Sequence, residues 1–265
     1  FPYTTLFRSL FNFGAQLYSP DGFSSGLASE EAIRAVPQSL RDGSLATSTA
    51  HFDVFIPRGA DGAILEPSGP PQNAREASHS ARARRAALQA EARTVAQVAE
   101  AVLPTVESRL ATPLQGRVRL ALLPADAAPP PCEPRAAAIP ARRRIVLFVG
   151  PQTLEPDALA AFLAHEIGHQ LAFDRWGATG ADRRLSEGIA TWAAEPYWLA
   201  WRGWPSLAAG VRELHAAGAF GSLAEPRAGC LVAAERDVYY SAWASFVDFL
   251  VGRYGWEAFG EALKR

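Results

Sequence analysis

His165 and His169 stand four residues apart with Glu166 beside the first of them, in the run Leu163-Ala164-His165-Glu166-Ile167-Gly168-His169. Four residues advance an α-helix by slightly more than one turn, so on a helix both imidazoles lie on one side. The flanking sequence suits a helix. Pro156 fits a first helical position, Asp157 fits the first turn, and Leu159, Phe162, Leu163 and Ile167 form an apolar stripe. Two imidazoles so placed can bind one Zn²⁺ ion. Glu166 then lies close enough to reach a water on the ion without ligating it, as general base and later as general acid.

A second segment, Leu185-Ser186-Glu187-Gly188-Ile189-Ala190-Thr191-Trp192, reads as the start of a helix with Ser186 as its N-cap. Glu187 there supplies a candidate third ligand and leaves the fourth position for water, as catalytic zinc requires. Asp174 and Asp182 are poorer alternatives, better read as solvated loop residues.

Composition narrows the remaining classes. Twenty-six Lys and Arg against 27 Asp and Glu leave a net charge of −1, which gives no electrostatic footprint for nucleic acid or an anionic membrane. No apolar run is long enough for a membrane span. Cys132 and Cys230 allow one disulfide at most. The chain has no Met. Phe1–Ser9 resemble a translated sequencing adaptor, so they are set apart from the fold.

Strand patterns are expected at Ala50–Pro57, Arg117–Leu123 and Arg144–Val149. A helix is expected from about Ala81 to Leu110, with a kink at Pro104. Arg58–Ser80 and Ala125–Arg143 read as loops, and residues 10–47 as a lead of uncertain structure with a helical candidate at Ser29–Arg41. Helices dominate beyond Pro151. Strand, helix, strand, strand and then helices is an α+β order.

HEIGHQ followed, after seventeen residues, by the Glu of LSEGIATW resembles the gluzincin metallopeptidases, specifically the peptidase-MA-like group of bacterial proteins. The likeness extends to STAHFDVFIP and to YYSAWASFVDFLVGRYG and covers residues 48–265. The spacing is slightly shorter than in the best-known gluzincins. Ala172 and Arg175, where a metzincin has Gly and its last ligand, argue against that class. The resemblance implies a zincin-like domain of small mixed sheet plus active-site helix (48–175) and a helical subdomain (176–265). One Zn²⁺ would sit in the cleft between them, held by His165, His169 and Glu187. It also implies a peptide or protein substrate pairing with a sheet edge near Arg144–Val149, and an oxyanion donor from Tyr239 or Tyr240, with Tyr240 favoured by its spacing. No motif for a free N-terminus is visible, which favours an endopeptidase or an amidohydrolase-like role. Export is the compartment such proteins suggest.

Two other readings stand beside this one: a binding or scaffolding module that keeps the fold without catalysis, and a chance motif in an unrelated helical protein. Retention of Glu166 argues against the first. His51, His79 and His215 are isolated and read as structural. Arg142-Arg143-Arg144 reads as a solvated loop edge, and Trp192, Trp198, Trp201 and Trp204 as core packing more than a substrate wall.

Overall fold

The computed structural model describes residues 43–56, 74–125, 128, 134–150, 153–177, 183–220, 223 and 233–263, with side chains in the first helix from Arg85 onward. Phe1–Ser9, the candidate helix at Ser29–Arg41, Asp182, Cys132, Cys230 and the side chain of His79 lie outside what is described.

The fold is α+β: a five-stranded mixed sheet followed, among the described residues, by helices alone. Strands β1 (Ser44–Ser48) and β2 (Phe52–Ile56) form an antiparallel pair. Phe52, Val54 and Ile56 alternate with more exposed neighbours and bury against helix α1 (Ala74–Leu110). Helix α1 begins seven residues before the expected start, in a stretch read as loop, and runs on through Pro104. Its stripe of Leu88, Ala92, Val95, Ala99, Val102, Val106 and Leu110 is buried at spacings of three and four. The chain then returns as β3 (Val118–Pro124), parallel to β2.

Strand β4 (Ala136–Ile139) corrects the reading of Ala125–Arg143 as loop throughout. Three alanines between Pro134 and Pro140 carry little strand propensity, and the strand is set by its antiparallel pairing with β5 (Arg144–Val149). The sheet order is β1-β2-β3-β5-β4. Strand β5 is therefore interior, paired with β3 on one side and β4 on the other. Among the described residues the sheet edge beside the helix that carries His165 is β4, not Arg144–Val149 as expected. The other unanticipated strand, β1, is short and mostly exposed, so no apolar alternation announces it.

Leu120, Leu122, Ile145 and Leu147 of the central strands join the main core with α1 and α2 (Pro156–Trp176). Their neighbours Leu123, Val146 and Phe148 line the opposite face with Ala137 and Ile139. Helix α2 begins as expected at Pro156, with the Glu155 carboxylate accepting from the Ala158 N–H at 3.1 Å. Helices α3 (Arg183–Ala193), α4 (Glu195–Arg202), α5 (Leu207–Ala216), α6 (Ala233–Tyr254) and α7 (Trp256–Leu263) complete the unit. Arg109 of α1 donates to the Trp192 carbonyl at 2.9 Å and to Glu195 at 2.6 Å, fastening α3 and α4 to the sheet-bound layer. No described helix is long and apolar enough to cross a membrane.

Candidate metal centre

Small residues let the helices of the site approach each other. A Cβ on Gly168 would lie 3.1 Å from the Cα and carbonyl oxygen of Ala190, so α2 and α3 touch backbone to backbone there. On the next face, a Cβ on Gly188 would lie 2.8 Å from the carbonyl oxygen of Trp243, so α3 and α6 are as close. A side chain at either glycine would drive the layers apart and carry Glu187 or Tyr240 away from the histidines.

Three buried or half-buried donor atoms converge as a result. His165 Nε2 lies 3.1 Å from His169 Nε2 and 3.1 Å from Glu187 Oε2, and His169 Nε2 lies 3.2 Å from the same carboxylate oxygen. This is the only group of three or more His, Cys, Asp or Glu with metal-binding geometry among the described residues. A tetrahedral ion with bonds of roughly 2.0–2.1 Å holds its ligand atoms about 3.3 Å apart, so the triangle fits zinc closely.

The outer faces of the imidazoles support the same fit. Thr191 Oγ1 lies 3.0 Å from His165 Nδ1 and Ser186 Oγ 3.4 Å from His169 Nδ1. Each hydroxyl has a lone pair for an Nδ1–H, the tautomer that leaves Nε2 bare. In that tautomer the two nitrogens and the carboxylate would present converging lone pairs, an arrangement that a cation between them satisfies.

Protonation in the absence of an ion reflects the same crowding. Burial pushes the Glu187 carboxyl up, but the charge of His169 and hydrogen bonds from both histidines outweigh it and hold the group well below the ordinary carboxylate range. Burial pulls His169 down, and Glu187 more than reverses this, leaving the imidazole raised.

Glu166 stands outside the triangle. Burial raises its carboxyl, opposed by the two histidines and by a hydrogen bond from the Ala138 N–H. That amide belongs to the sheet edge. Phe148 N–H donates to the Arg135 carbonyl at 2.9 Å, so in the alternating antiparallel ladder Ala136 and Ala138 turn their own amides and carbonyls away from β5. One edge amide thus holds Glu166, while the other outward groups of Ala136 and Ala138 point away from β5 in the same direction.

Tyr240 of α6 stacks on His165 with ring centroids 5.3 Å apart and an interplanar angle of 7°. Burial, with the Glu187 charge adding to it, pushes its hydroxyl up, and a hydrogen bond from Arg183 pulls the other way. Tyr239 instead packs on Trp243 and Phe220. Of the two tyrosines, Tyr240 is the one beside the ligands.

Other candidates fall into structural roles. Asp174 accepts from Arg143 at 2.8 Å and from Gln170 at 3.0 Å, so it ties the end of α2 to the start of β5. Arg143 is thus an ion-pair partner rather than a solvated loop residue. His51 contacts Glu100 at 2.8 Å, and His215 lies edge-on to Phe220. Ser186 is not an N-cap, because α3 already begins at Arg183. It sits inside the helix, one residue before Glu187. Trp192 is core, stacked on Trp256, whereas Trp198 is buried and also faces His165 at 6.0 Å. Sequence reading passed over Thr191, Arg183 and Ala138. The first two lie one helical turn either side of Glu187 and so share its face, a signal that was present. Nothing in the alanine run marks Ala138.

Comparison with known protein families, with curated proteins and with solved structures finds no match for this chain. The functional reading therefore stands on the geometry.

Proposed function

We propose that this chain is a zinc-dependent peptidase of gluzincin type with a zincin-like fold, hydrolysing peptide bonds in an extended substrate. The observation that carries the reading is the Nε2, Nε2, Oε2 triangle of His165, His169 and Glu187 with a second buried acid, Glu166, beside it but outside it. A site that only held an ion for stability would have no use for that second carboxylate.

When bound there, Zn²⁺ supplies Lewis acidity, making a water easier to deprotonate and a carbonyl easier to attack. The chain's own groups do the rest. Glu166, raised by burial, accepts the proton from the attacking water and then delivers it to the leaving amine. Tyr240, protonated and fixed by its stack on His165, donates a hydrogen bond to the oxygen that gains charge. The outward Ala136 N–H and the Ala136 and Ala138 carbonyls of β4, left over once the Ala138 N–H holds Glu166, suit an extended peptide added to the sheet edge. Trp198, buried, packs beside His165 and helps to fix its ring.

The test is elemental analysis of parent and Glu166→Gln, with both assayed on unstructured protein substrates. Zinc near one equivalent in each, and cleavage by the parent alone, is the expected result. Zinc in both without cleavage by the parent returns the chain to the class of binding modules, and absence of metal after zinc loading ends the reading altogether.

A further inference from the structure

Arg135, the residue preceding edge strand β4, reaches across to Asp237 of α6. Both of its hydrogen bonds to that carboxylate, 2.8 Å to Oδ1 and 3.0 Å to Oδ2, leave from the single nitrogen Nη1. A guanidinium that grips a carboxylate fully does so with two nitrogens in parallel. Here Nε and Nη2 have no acceptor among the described residues. Asp237 is shared with Arg202, 3.8 Å away, so among the described residues one buried acid faces two cations and a positive charge is left over. Both guanidiniums are about a quarter exposed, while the Asp237 side chain is 8% exposed. The cations thus reach solvent and their counterion does not.

Aromatic rings hold the pair in place. The Arg135 guanidinium lies 5.2 Å from the Phe162 ring and 5.5 Å from that of Trp201, and Arg202 lies 4.7 Å from Trp204. Phe162 is one helical turn before Glu166 on α2, and Arg135 is three residues before Ala138 on β4. Both routes put the guanidinium about 10 Å from the Glu166 carboxylate, two or three residues along an extended peptide lying on the edge.

We propose that Arg135, seated by Asp237 and seconded by Arg202, forms a carboxylate-binding subsite at the end of the substrate groove. It would take either the free C-terminus of a peptide or an Asp or Glu side chain a few residues from the scissile bond. The site rests on the peptidase reading for its place in catalysis, but not for its chemistry: a surplus cation on an aromatic floor binds a carboxylate whether or not the peptide is cut.

The experiment uses two matched peptide pairs, one differing only in a free against an amidated C-terminus, the other only in an internal Glu against Gln. Rates are measured with the zinc-loaded parent, Arg135→Gln and Arg135→Lys. Affinities are measured by Trp fluorescence in the Glu166→Gln background. The expected result is a preference of about 10- to 100-fold for the acid member of one pair, lost in Arg135→Gln with zinc content and melting temperature kept. If Arg135→Gln fails to fold, Arg135→Lys keeps a cation for Asp237 while losing the second donor edge, and the preference shrinks there instead. A parent that treats both members of each pair alike, or a preference that survives both substitutions, overturns the subsite and leaves hydrolysis standing. Arg135-dependent binding of the acid member without cleavage by the parent does the reverse.

Discussion

The backbone of Ala190 passes 3.1 Å from the point where a side chain on Gly168 would begin. Glu187, three residues before Ala190, reaches the two histidines because of that contact. Helix propensity alone favours Gly168→Ala by about 1 kcal/mol, whereas overpacking against backbone, which cannot rotate away, costs about 1–3 kcal/mol. The second effect wins. Gly168→Ala is expected to lower stability by about 1 kcal/mol and to weaken zinc binding as the triangle opens. Gly188→Ala, 2.8 Å from a carbonyl oxygen, is expected to be worse on both counts. Urea denaturation with zinc titration checks this, and a Gly168→Ala protein that binds zinc as tightly as the parent refutes it.

Thr191→Val removes the hydroxyl beside His165 Nδ1 and keeps the side chain's shape. Zinc affinity is expected to fall about 10- to 100-fold, read by competition with a chromophoric chelator. Ser186→Ala is expected to do less, because its contact with His169 is longer, at 3.4 Å, and only partly buried. Equal losses at both positions would mean that hydroxyl contact length does not set the ligand's basicity.

Tyr240→Phe keeps the ring on His165 and deletes the proposed donor. Turnover is expected to drop about 10²- to 10³-fold with zinc content unchanged. Unaltered turnover would move the oxyanion contact to another group, with Arg183 the nearest cation to examine.

Outside the candidate site, Asp53 of β2 accepts from Ser48 of β1 at 2.7 Å and from Arg117 Nε at 3.0 Å. The Arg117 guanidinium, with Ser48 assisting, holds the Asp53 carboxyl below its ordinary value. A depressed carboxyl contributes stability that is complete above the unfolded value of about 3.9 and is lost as pH falls through the folded one. Asp53→Asn is therefore expected to unfold at lower urea than the parent at neutral pH, with the gap closing in acid. A gap that stays constant down to about pH 2 would show that hydrogen-bond geometry, not charge, accounts for the difference.

What sequence revealed and what it hid follow one division. His165, Glu166, His169 and Glu187 are legible because helix periodicity places i and i+4 together and because two consecutive helices carry all four. The start of α2 is legible in Pro156, and β2, β3 and β5 in their apolar patterns. Strand β4 is not, since Ala136–Ala138 have no pattern and become a strand only through β5. Ser186 looks like a cap until the helix is seen to start at Arg183. Arg135 and Asp237 are 102 residues apart, and no local rule joins a lone arginine in a proline-rich stretch to an aspartate in a late helix.

His165, His169 and Glu187 all fall within a stretch of 23 residues. Closing so short a loop carries a small entropic penalty, so an ion can clasp α2 to α3 as a hairpin before α6 arrives. Tyr240 and Asp237 come from that later segment. Chain order thus separates capture of the metal from completion of the groove, and refolding in zinc would accelerate the first event while leaving the docking of α6 to set the overall pace.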